Sequence, residues 1–213
     1  MYPSEDHQAE VPYIWHTQKP CFEFFRRSLF ENLNSKLCAR KKNVSLSEKT
    51  LKLSEEMKIE GYEVHASSLA GISTCIGLTK GKRFRIAFDM GSCPQWSHGV
   101  NVVFLSHCHI DHFGAVFNHA RVKSMNNKNK KVIYFVPEEC VEILQKIKLM
   151  YEKLDNMNTG TSLPMEFRGV KAGEKYPFPH CNSYYFRVFK TDHRVPSVGY
   201  AIFERQKGGL IPE

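Results

Sequence analysis

No stretch of this sequence approaches the ~18–20 consecutive apolar residues that cross a bilayer. None opens it with the charged-then-apolar pattern of a secretory signal. The expectation is a soluble protein without a membrane partner, intracellular, in cytoplasm or nucleus, with an organelle as the further option. Cysteine is scattered: Cys21, Cys38, Cys75, Cys93, Cys108, Cys140 and Cys181 are odd in number and form no Cys-x-x-Cys pair. That excludes a disulfide framework and implies reduced thiols. Internal repeats and low-complexity tracts are absent, and 213 residues suffice for one α/β domain with its own core. Acidic residues are the minority, 22 against 30 Lys and Arg, for a net charge of +8. Such a balance favours a polyanionic partner, because each phosphate neutralised by Lys or Arg releases counterions.

Three regions separate along the chain. Residues 1–50 read as an N-terminal extension that is partly helical, with Phe22, Phe25, Leu29 and Leu33 at helical spacing around Arg26 and Arg27. Ser45 to Lys49 is a polar lead into a helix expected to end near Glu60-Gly61. Residues 51–213 form the main domain. Its first strands are Tyr62–Leu69, Thr74–Leu78 and Arg83–Phe88, with Thr79 to Lys82 as a hairpin connection. Val100–Ser106 and Val132–Val136 are apolar strands, and a helix runs through Gly114 to about Val122. Pro137 opens a second helix, Asn156–Pro164 is a loop, and strands near Met165–Val170, Tyr184–Lys190 and Tyr200–Phe203 follow. Strands interleaved with helices imply an α/β sheet covered by helices.

The chemistry concentrates in Ser106-His107-Cys108-His109-Ile110-Asp111-His112, which closes the apolar strand. Three imidazoles and a carboxylate within six positions are more metal donors than a core tolerates unpaired. In extended chain His107 and His109 share a face and can meet one ion, while the turn into the next helix redirects Asp111 and His112 toward a second. Two ions on one loop can share a hydroxide and clamp the oxygens of a phosphate. The plain alternative is a polar strand end with exposed histidines. Cys108 should turn away from the ligand face and pack as a small apolar group.

Two further residues extend the pattern. Asp89 ends a strand where a carboxylate can orient a ligand imidazole, although a turn aspartate before Gly91 is an equal reading. His193 closes the run Tyr184–Thr191 before a loop shaped by Pro196 and Gly199. Lys123, Lys128, Lys130 and Lys131 lie among asparagines, placed to track an RNA backbone or simply to line a solvated connection.

His-Cys-His-Ile-Asp-His has the His-x-His-x-Asp-His signature of the metallo-β-lactamase superfamily. Together with Phe88-Asp89-Met90-Gly91-Ser92-Cys93-Pro94 and His193-Arg194-Val195-Pro196-Ser197-Val198-Gly199-Tyr200 it resembles the short, plant-like tRNase Z branch, from about Lys58 to Glu204. The resemblance implies a four-layer αββα sandwich, of which this chain supplies the N-terminal part only. It implies two zinc ions, one on His107, His109 and His193, the other on Asp111 and His112, with Asp89 behind them. Asp111 would also accept or orient the proton of the attacking water. The implied activity is removal of 3′ trailers from precursor tRNA by a homodimer. An aspartate bridging the metals and a later histidine stand downstream of this region in the family. Their absence from this sequence sets against self-sufficient catalysis. Two other classes compete: a small-molecule metallohydrolase acting on a thioester or lactone, and an inactive RNA-binding or dimerising remnant.

Overall fold

The computed structural model describes residues 13–15, 53–59, 61–69, 71–82, 84–126, 131–157 and 162–205. A seven-stranded sheet is built from β2 (Leu53–Ile59), β3 (Tyr62–Leu69), β4 (Ser73–Lys80), β5 (Phe84–Phe88), β6 (Val102–Phe104), β7 (Val132–Pro137) and β8 (Met165–Val170), in that spatial order. The pairings from β2 to β5 are antiparallel and those from β5 to β8 parallel. A four-stranded antiparallel sheet runs β1 (Tyr13–Trp15), β11 (Val198–Glu204), β10 (Tyr184–Lys190) and β9 (Lys175–Pro177). Helices α1 (Ile110–Phe113), α2 (Val116–Asn126) and α3 (Val141–Leu154), with 3-10 turns at Gln95–Gly99 and Glu138–Cys140, complete the described elements, which form three layers, α, β and β.

Two cores hold the layers together, and the parity of each strand decides which side chain enters which. From β6, Phe104 points between the sheets, while Val103 and the following Leu105 point toward the helices. Phe104 stacks with Phe88 and Phe135 at 5.4 and 5.3 Å and meets Phe186 edge-on at 5.0 Å across the sandwich. Burying each such ring is worth roughly 1.5–3 kcal/mol. Every residue of β6 and β7 is buried, as expected of parallel strands covered on both faces. Glu204 fastens the sheets to each other, accepting from Tyr62 Oη at 2.6 Å and from Lys80 Nζ at 2.6 and 2.8 Å.

Two segments differ from their sequence reading. The lead after Ser45 patterns as a helix ending near Gly61, but Leu53–Ile59 is a strand. Gly61 at φ +80° closes a tight hairpin, and pairing of the full length of β2 with β3 overrides local helix preference. Within the expected helical extension of residues 1–50, Tyr13–Trp15 forms β1 and pairs with β11. The helix expected around Phe22–Leu33 lies outside the described residues. The helix expected from Pro137 begins at Val141, after a 3-10 turn over Glu138–Cys140. Among the described cysteines Cys75, Cys93, Cys108, Cys140 and Cys181 are all free thiols.

Candidate metal centre

The cluster sits beyond the C-terminal ends of β5 and β6, where the two sheets meet at one rim. β5 ends in Asp89, a non-glycine residue at φ +56°, an uncommon conformation that aspartate adopts more readily than most. Its backbone N–H donates to the Phe104 carbonyl at 2.9 Å, and its carboxylate is buried. Immediately after, Met90 N–H donates to the His112 carbonyl at 2.6 Å, and Ala115 N–H to the Met90 carbonyl at 2.8 Å. Gly91 passes so close to the histidine loop that a Cβ there would stand 1.8 Å from the Asp111 carbonyl oxygen.

The histidine loop leaves β6 through Leu105, whose N–H donates to the Phe135 carbonyl at 2.8 Å. His107 is buried. His109, still extended at φ −71° and ψ 149°, caps α1, and its carbonyl accepts from His112 and Phe113 N–H at 2.9 and 3.0 Å. That single helical turn swings Asp111 and His112 off the line of the strand. Cys108 faces the helix-side core, where contact with the Cys140 thiol and burial hold it protonated.

His193 arrives from the other sheet, in the loop between β10 and β11. Thr191 and Ser197 staple this loop through hydroxyls 2.6 Å apart, and Val198 N–H ties it to the Ser106 carbonyl at 2.9 Å. One ring nitrogen each of His107, His109 and His193 then lies within 4.8 Å of the other two. His109 Nδ1 and His193 Nε2 are 3.1 Å apart. The His112 ring stands 4.1 Å, centroid to centroid, from that of His107, and its Nε2 is 3.4 Å from Asp111 Oδ2.

The donor set fits a divalent metal. Two nitrogens on one tetrahedral zinc at about 2.1 Å stand about 3.4 Å apart, and the His109–His193 separation is close to that. Burial, and then the neighbouring His112, His193 and His109, push His107 down to about 3, which keeps its lone pair free at neutral pH. Burial together with His109 and Arg194 lowers His193 as well. His112 behaves differently: burial opposes its charge, but the hydrogen bond to Asp89 and the carboxylates of Asp89 and Asp111 outweigh burial and raise it.

Of the candidates read from sequence, His107, His109 and His193 come together, with His112, Asp111 and Asp89 adjoining. Asp89 Oδ2 is 2.7 Å from His112 Nδ1, so the carboxylate orients an imidazole rather than serving a turn alone. The lysines fare differently. Lys123 is buried in α2 and cannot track a backbone in solvent. Lys131 is exposed but precedes β7, at the end of the parallel strands opposite the cluster. Lys128 and Lys130 lie outside the described residues. Sequence reasoning misses Ser106, whose hydroxyl touches both Asp89 and His107; a hydroxyl ending an otherwise apolar strand beside a histidine is the signal that finds it.

Comparison with known proteins gives a consistent set of relatives. The chain is 29% identical over 153 residues to nuclear ribonuclease Z of Triticum aestivum, matching 71% of this chain and 81% of that protein. It is 30% identical over 147 residues to tRNase Z TRZ1 of Arabidopsis thaliana, matching 69% of this chain and 49% of that one. The chain therefore spans about half the length of the Arabidopsis relative. Among solved structures, the short form of human tRNase Z aligns at 15% identity and a TM-score of 0.45, over 62% of this chain and 57% of that one. No protein-family model matches the chain.

Proposed function

We propose that this chain, which is similar to ribonuclease Z and tRNase Z proteins, is a member of the tRNase Z family of the metallo-β-lactamase superfamily and the metal-binding part of a zinc-dependent endoribonuclease that removes 3′ trailers from precursor tRNA. The observation that carries this reading is the convergence of His107 and His109 with His193, 84 positions from His109, at one rim of the sandwich. His107, His109 and His193 would hold one zinc, and Asp111 and His112 would contribute to a second. Bound there, the metal supplies a water of lowered pKa and positive charge at the phosphate oxygens.

The chain's own side chains do the rest. Asp89 fixes the ring of His112 by accepting from Nδ1, which leaves Nε2 facing Asp111. Asp111, partly open to solvent, is the carboxylate placed to accept or orient a proton from an attacking water. The buried surroundings of His107 keep its imidazole neutral and available as a donor. Asp111 and His112 give the second metal two protein ligands, against the three usual for catalytic zinc.

Association as a homodimer belongs to the same reading. An apolar stripe on α3, with Ile143 and Met150 61% exposed and Leu154 85% exposed, supports it. An intracellular location is likewise proposed, supported by the wheat relative's naming as nuclear. Among the described residues no helix is long and apolar enough to cross a membrane.

Two measurements on the whole chain test the proposal. Elemental analysis after purification without chelators should find zinc, and His109→Ala should lose the ion held by the three-histidine site. Zinc content unchanged in that variant would refute the ligand assignment. Cleavage of a precursor tRNA bearing a 3′ trailer, run beside bis(p-nitrophenyl) phosphate and a panel of thioesters and lactones, tests the substrate class. Turnover confined to the thioesters or lactones would overturn the nuclease reading, and zinc with tRNA binding but no cleavage would leave an RNA-binding remnant.

A further inference from the structure

Ser106 stands between the carboxylate of Asp89 and the imidazole of His107. Its Oγ lies 2.9 Å from Asp89 Oδ1, 3.1 Å from Asp89 Oδ2 and 2.9 Å from His107 Nδ1. A hydroxyl has one proton to give, and an ionised carboxylate can only accept. If that proton pointed at the histidine, two oxygen lone pairs would face each other in a buried site at under 3 Å, with a negative charge on one of them. The proton therefore goes to Asp89, in a charge-assisted bond. Toward His107 the Ser106 oxygen is then an acceptor, so Nδ1 must carry the hydrogen and Nε2 keeps the lone pair.

We propose that Ser106 is a positioning residue that relays the Asp89 charge to His107 and fixes its tautomer. One buried carboxylate thus sets two imidazoles at once, His112 by direct contact and His107 through a hydroxyl. The arrangement extends the usual device in which a ligand histidine donates its other N–H to a carboxylate. It also explains why Asp89 is held with both oxygens engaged. Oδ1 takes the backbone N–H and the hydroxyl of Ser106, and Oδ2 takes His112. The backbone bond from Ser106 N–H to Asp89 Oδ1, at 2.8 Å, survives truncation of the side chain. Ser106→Ala therefore removes the relay while leaving the loop's anchor in place.

The inference rests on the metal-site reading for its purpose but not for its test. Long-range 1H–15N correlation spectra of the metal-free chain at neutral pH report which ring nitrogen of each histidine carries hydrogen. The wild-type chain should show His107 protonated on Nδ1. Ser106→Ala should shift His107 toward the Nε2–H form, and Ser106→Thr, which keeps the hydroxyl, should restore it. Zinc titration of the same samples should show an affinity loss of roughly 10–100-fold for Ser106→Ala, recovered by Ser106→Thr. His107 protonated on Nε2 in the wild-type chain would overturn the proposal, whether or not either variant folds. So would an Ala variant with the wild-type tautomer and wild-type affinity. Failure of the wild-type chain to take up zinc would instead count against the metal-site reading, since the tautomer is read without metal.

Discussion

Adding a single methyl group at Gly91 should damage the metal centre from behind. The Cβ of Gly91→Ala would lie 1.8 Å from the Asp111 carbonyl oxygen, 2.5 Å from its carbon and 2.7 Å from Thr74 N. All three are backbone atoms, so no side chain can rotate away. To open the first contact to even 3.0 Å, the Asp111 turn or the Gly91 strand end must retreat by about 1.2 Å, against the bonds of Gly91 N–H to Thr74 and Met90 N–H to His112. Overpacking typically costs 1–3 kcal/mol, and a clash between main chains belongs at or above the top of that range. For a domain of this size about 3 kcal/mol lowers Tm by roughly 6–12 °C. The same displacement moves Asp111 and His112, so zinc affinity should fall by roughly 10–100-fold. Calorimetry and zinc titration read the two effects. Gly61→Ala is the control: its Cβ meets nothing within 4 Å, but its φ of +80° costs about 1–2 kcal/mol, so stability drops while zinc affinity holds. A Gly91→Ala chain that melts within 2 °C of wild type and binds zinc normally would show that the loop is not pressed against this strand end.

Two further outcomes test the packing beneath the site. His119 is fully buried, with Nδ1 2.7 Å from Tyr134 Oη and Nε2 3.0 Å from the Ser97 carbonyl, and burial foremost pushes it down to about 4. Its folded-state pKa lies below the unfolded 6.5, so its contribution to stability is complete above pH 6.5 and is lost as pH falls toward 4. That contribution amounts to about 3 kcal/mol, and the fall in unfolding free energy across this window should flatten in His119→Gln. An equal slope in both proteins would rule His119 out as the source. Tyr200→Phe removes a buried hydroxyl that donates to the Leu105 carbonyl at 2.9 Å, with the Phe135 carbonyl at 3.2 Å. Denaturant unfolding should show a loss of about 1 kcal/mol with an unchanged m-value, and no loss would mean that water satisfies these carbonyls equally well.

The sequence alone determined the strands that are buried on both faces and the four ligand candidates that sit together on one loop. Val132–Val136 is legible because a parallel strand between two covered faces has no reason to carry a polar residue. His107, His109, Asp111 and His112 are legible because strand and helix periods convert their spacing directly into direction. Leu53–Ile59 was not, since its helix-compatible composition is overruled by hydrogen bonds to a neighbouring strand, an interaction no local window contains.

Only the tertiary structure decided the rest. His193 enters the site because a second sheet packs on the first through Phe104, Phe186 and Tyr200 and brings the end of β10 to the rim beyond β6. Ser106 can donate to Asp89, 17 positions away in the chain, because β5 and β6 lie side by side and end at the same level. Lys131, close to the motif in sequence, stands at the far end of the sheet because β7 must travel its whole length to return to the rim. Residue type and spacing specify which groups can bind a metal; the packing of the layers specifies which of them share a point in space, because only that packing sets distances between strands remote in the chain.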